Sequence, residues 1–133
     1  NKTIILIGHS MGGIIAGYYT ENFAKIDGIK VKHVVSIASP WHGSALIDYL
    51  PFINRKMMQL KQRSGFLDRL RKQINGNKTT KYFNISSEHD DLLVSGDSGL
   101  MQNKTVYKTR FLGHYSIIMS GNIWRKILQK IKE

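Results

Sequence analysis

Short continuous apolar runs alternate along this chain with stretches in which apolar residues recur at helical spacing. Residues 3–7 (Thr-Ile-Ile-Leu-Ile) form a run of strand length, as expected of a parallel strand buried on both faces. Gly8 ends it, and residues 11–24 read as a helix with Ile14, Ile15 and Tyr18 on its inner side. After a turn at Asp27-Gly28, residues 31–38 read as a second buried strand, closed by Pro40. Between 55 and 74, Met57, Leu60, Leu67, Leu70 and Ile74 keep helical spacing. Ser64-Gly65 interrupts them, so two short helices are expected, the second capped by Asn75-Gly76. Residues 82–86 and 105–110 read as a third and a fourth strand. Ser120 stands where it can N-cap a last amphipathic helix with Ile123, Ile127, Leu128 and Ile131 on one face. Strands alternating with helices imply an α/β fold, a mostly parallel sheet flanked by helices.

Composition changes this picture little. The 133 residues carry no repeat and no Pro-, Gly- or Ser-rich linker, which makes 1–133 a single domain of modest core. No apolar run approaches the roughly 20 residues needed to span a bilayer. With no cysteine, disulfides and thiolate metal sites are excluded and the redox compartment stays open. The net charge of +11 admits three readings: nucleic-acid binding, attraction to anionic lipid, or solvated lysines. The basic residues are scattered without a recognisable module, so no nucleic-acid partner is expected. Localisation is left unknown, cytoplasmic by default with secretion open. A chain that starts at Asn1 and is already a strand at Thr3 is expected to be part of something longer.

The sharpest chemical signal is Gly8-His9-Ser10-Met11-Gly12, followed by Gly13. It sits between a buried strand and a helix, the context in which a serine is held on a sharp turn with its hydroxyl above the sheet edge. Glycines at 8 and 12 are expected because side chains there would clash across the turn. The helix directs its first N–H groups at the serine, and the Met11 N–H can serve as an oxyanion donor. A phosphate-binding loop would want Gly-Lys-Ser/Thr, which is absent.

This segment resembles the α/β-hydrolase superfamily, and its Gly-His-Ser-Met-Gly-Gly form is similar to that of lipases and esterases. Residues 36–44 (Ser-Ile-Ala-Ser-Pro-Trp-His-Gly-Ser) resemble a lipase segment in which a strand ends beside the cleft. Residues 64–70 are similar to a Ser-x-Phe-Leu stretch of lipase-like members. The resemblance implies a partial α/β-hydrolase fold without its N-terminal strands, one of whose loops would supply a second oxyanion N–H. It also implies the chain order Ser, acid, His. His114, in a Gly-His pair before the last helix, is then the general base. The acid lies in Glu88-His89-Asp90-Asp91-Leu92-Leu93-Val94. A family pattern similar to Asp-x-Leu/Ile-Val selects Asp91; Asp90 fits only with Leu93 in place of the valine, and Glu88 stands third.

The catalytic set is thus Ser10, Asp91 and His114, with His9, Trp41 and His42 lining the cleft. The implied function is a serine carboxylic-ester hydrolase acting through an acyl-enzyme on a lipid or other acyl ester, with no cofactor and no metal. The alternatives are an acyltransferase or thioesterase on the same triad, or a non-catalytic remnant acting as a binding module. Residues 55–80 form either a lid or cap insertion or an amphipathic helix pair packed on the sheet. The basic 55–81 stretch would make any peripheral membrane contact.

Overall fold

A computed structural model describes residues 2–44, 65–88, 90, 105–110 and 112–133. Among them, β1 (Lys2–His9), β2 (Ile29–Ile37), β3 (Lys81–Ser87) and β4 (Thr105–Thr109) lie side by side in that order. Every neighbouring pair is parallel. Four helices accompany them: α1 (Met11–Asn22), α2 (Gly65–Gly76), α3 (Ser116–Met119) and α4 (Gly121–Lys132). This is the α/β architecture expected from the alternation of strand and helix patterns.

Two apolar clusters sandwich the sheet. On one face Ile14 and Ala16 of α1 and Leu67, Leu70 and Ile74 of α2 pack with Val34, Tyr82 and Trp41. On the other, Ile117 of α3 and Ile123 and Ile127 of α4 pack on Val35, Ile37, Phe83 and Ile85. Val34 and Val35 are each wholly buried, so β2 has the two covered faces that a continuous apolar run predicts. β1 does not. Its Ile4 and Leu6 pack against the first cluster, while Ile5 and Ile7 remain 39% and 44% exposed. The reason is position: among the described residues β1 borders only β2, and the residues of α3 and α4 reach β2 and β3 on that face.

The inner face of α1 also differs from expectation. Ile14 is buried, but Ile15 and Tyr18 are 56% and 39% exposed. The buried positions are Gly13, Ile14, Ala16 and Gly17, because α1 rides too close to its neighbours for larger side chains. A Cβ on Gly17 would stand 2.8 Å from the Trp41 ring. Leu128 of α4 likewise lies outward.

Helix ends depart in smaller ways. Asn75 and Gly76 lie within α2. It is Asn77 that leads the chain out, its Oδ1 accepting from the backbone N–H groups of Thr79 and Thr80 at 2.8 and 2.9 Å. Ser120 does occupy the N-cap of α4, but its hydroxyl makes no capping bond. Of the expected 55–80 insertion, 55–64 lies outside the described residues. Its described part, α2, packs as an amphipathic helix on the sheet.

Candidate active site

The turn between β1 and α1 builds the site from its backbone upward. Ser10 has φ 54° and ψ −127°, a conformation that costs a non-glycine residue on the order of 1–3 kcal/mol and persists only where its surroundings impose it. They do. The Ser10 N–H donates to Ile37 O at 2.8 Å, tying the turn to the end of β2, and the Gly13 N–H donates to Ser10 O at 3.1 Å. The Ser10 hydroxyl does not cap its own helix, which leaves it available to other partners. The turn also lies at the positive end of α1, whose first turn holds no acidic residue. The Met11 N–H, first of that helix, has no acceptor within it.

The glycines divide unevenly. A Cβ on Gly8 would lie 2.3 Å from the Gly12 carbonyl carbon and 2.4 Å from the Gly13 nitrogen, so Gly8 is required by backbone approach. Gly12, expected to be equally necessary, has open space where a Cβ would go. The second required glycine is Gly13, where a Cβ would stand 2.0 Å from Ser39 Oγ and 2.7 Å from Ser36 Cβ. The first turn of α1 therefore sits directly on the end of β2.

His114 reaches the site from the loop before α3. It is buried, and its Nδ1 lies 2.9 and 3.1 Å from the two carboxylate oxygens of Asp90, itself buried beyond the end of β3. With Nδ1 donating to Asp90, Nε2 is the nitrogen left for proton transfer. The preference for Asp91 is corrected at this point: the carboxylate that meets His114 is Asp90, and Asp91 lies outside the described residues. Counting back from Val94 favours the second aspartate of the pair, whereas the carboxylate found against His114 is that of the first.

His9 comes to the same place. It is half-buried, its Nε2 is 2.8 Å from the His114 carbonyl oxygen, and the two rings have centroids 4.7 Å apart. The Tyr115 ring meets His114 edge-on at 5.2 Å. His42 is exposed. Trp41 is not a cleft residue, contrary to expectation: it is wholly buried, and its Nε1–H donates to Ser36 Oγ at 3.0 Å. Ser36 in turn bonds the side-chain carbonyl of Asn84, so Trp41 is locked across β2 and β3. Its backbone carbonyl accepts from Arg71, which also pairs with Asp68. Arg71 is thereby a structural residue, whereas Arg69 and Lys72 are exposed on α2. Among the described residues no group of three or more His, Asp or Glu could hold a metal ion. Nor is any helix long and apolar enough to cross a membrane.

Comparison with solved structures places the fold. The mature form of the Bacillus licheniformis lipase BlEst2 superposes with a TM-score of 0.74 at 22% identity, over 98% of this chain and 65% of that one. The lin2722 product of Listeria innocua gives 0.62 at 16% identity, over 95% and 56%. A carboxylesterase structure from the thaumarchaeon Nitrososphaera gargenis gives 0.56 at 15%, over 97% and 64%. The chain thus spans 56% to 65% of the length of these three structures. A search of curated proteins gives no match. The model of the PGAP1-like alpha/beta domain matches residues 1–127. By that match over nearly its whole length the chain belongs to the PGAP1-like alpha/beta domain family, and its fold is that of the α/β hydrolases.

Proposed function

We propose that the protein is a serine ester hydrolase that works through an acyl-enzyme on a lipid or other acyl ester. The observation that carries this reading is the strained Ser10 on its strand-to-helix turn, joined through His9 to a buried His114–Asp90 pair. In the proposed reaction Ser10 Oγ attacks the ester carbonyl carbon while His114 Nε2 takes the hydroxyl proton. Asp90 holds the imidazole in its Nδ1–H tautomer and stabilises the imidazolium. The Met11 N–H, at the positive end of α1, donates to the oxyanion. His114 then returns the proton to the departing alcohol, and a water deprotonated by His114 releases the acyl group. No step needs a metal or an organic cofactor.

Labelling with a fluorophosphonate probe tests this directly. The folded chain should label at Ser10 alone, and Ser10→Ala should abolish both labelling and turnover of a short acyl ester, the latter by on the order of 10⁶-fold. A folded chain that takes up no probe, or labels equally well after Ser10→Ala, would overturn the reading.

A further inference from the structure

His9 belongs to neither the nucleophile nor its relay, yet it touches both. It directly precedes Ser10, so any displacement of its backbone moves the nucleophile. Its side chain contacts the loop that carries the base. We propose that His9 is a positioning residue: a hydrogen bond from its Nε2–H to the His114 carbonyl sets the distance between nucleophile and base. This inference rests on the Ser10–His114–Asp90 reading above.

Three observations bear on it. First, Asp90 holds His114 through its ring, at Nδ1. The bond from His9 meets the backbone of the same residue instead, so the two together anchor both the ring and the loop segment that carries it. Second, the neighbouring carbonyls are occupied within the loop and α3. Gly113 O accepts from the Ile117 N–H at 3.1 Å and Tyr115 O from the Ile118 N–H at 3.3 Å. The carbonyl between them, that of His114, takes its donor from the end of β1 instead, 105 residues away in sequence. Third, a carbonyl oxygen only accepts, so the bond requires a proton on His9 Nε2. Tilted ring contact with His114 at 4.7 Å and with Tyr115 at 5.9 Å limits the rotamers from which that donor can point elsewhere.

Two substitutions separate the hydrogen bond from aromatic packing. His9→Phe keeps a ring but no donor, and His9→Gln places an amide N–H at similar reach with no ring. Loss of the bond should lower kcat roughly tenfold, the scale of one hydrogen bond, in His9→Phe. KM should barely change, and His9→Gln should recover most of the rate. Amide hydrogen exchange supplies a readout that does not depend on turnover: residues 113–118 should exchange faster in His9→Phe and not in His9→Gln. An active Phe variant beside a slow Gln variant would overturn the proposal in favour of packing. If wild-type Ser10 takes no probe, the ester-hydrolase reading fails by itself. The exchange data still decide the tie, which unchanged protection in His9→Phe would refute.

Discussion

Asp90 and Asp91 differ by one position along the chain, and Asp90 is the one whose carboxylate meets His114. Asp90 is buried with both carboxylate oxygens on Nδ1, so Asp90→Asn should present an amide where an acceptor is required and disturb the tautomer. Ester turnover should fall by about 10⁴-fold, while Asp91→Asn should stay within a few-fold of wild type; steady-state rates on one short ester decide between them. The sequence located this acid to a loop but not to a residue. Two adjacent carboxylates read alike in a linear pattern, and what singles out Asp90 is the contact of its carboxylate with the base. Ser10 was more legible, because a glycine–x–serine–x–glycine turn has few other places to stand than between strand and helix. Trp41 was misread for the opposite reason. Flanked by Pro40 and His42-Gly43 it has the sequence surroundings of a surface loop, and the polar partner that draws its indole inward, Ser36, lies on β2.

At the scale of elements, α1 is defined by how closely it approaches β2. Gly12 and Gly13 are consecutive yet meet opposite surroundings, open space at the first and Ser39 with Ser36 at the second. Gly12→Ala should therefore fold normally, with a gain of up to about 1 kcal/mol from helix propensity. Gly13→Ala should lose about 1–3 kcal/mol or more from overpacking, and denaturant unfolding of the two variants makes the comparison. The same closeness explains why the inner face of α1 was not visible in its hydropathy. A helix that packs through glycine and alanine carries its large apolar residues elsewhere, so Ile15 and Tyr18 drew attention to the wrong side. Strand patterns were easier to read, since a buried parallel strand is apolar whichever way a residue points. That very insensitivity hid the exposed face of β1: the run at residues 3–7 looks the same whether one face is covered or two.

Across the whole molecule, the end of the sheet remote from Ser10 holds a second buried histidine. His33, near the start of β2, is 2% exposed with an unpartnered Nε2. Burial lowers its affinity for a proton, the charges of Lys32 and Lys81 lower it further, and Glu133 opposes them weakly. A histidine whose pKa is depressed on folding binds more protons when unfolded, so stability rises with pH across the window between the two values. The contribution should be fully present above the unfolded value near 6.5 and decline as pH falls through it. Urea unfolding at pH 7.5 and pH 5.5 should show that decline in wild type and a smaller one in His33→Leu. The buried-strand reading of residues 31–38 includes His33, but Lys32 and Val34 on either side of it leave open which way the imidazole faces.

The hydrogen bond from His9 to the His114 carbonyl has a consequence for biosynthesis. The serine turn is tied to the end of β2, whereas the base lies in the loop before α3, 105 residues from His9 in sequence. The ribosome thus adds the residues of the Ser10 turn before it reaches those of the proposed base. On the proposed mechanism a chain halted between them carries the nucleophile without its base, so ester turnover should appear only once His114 has been added.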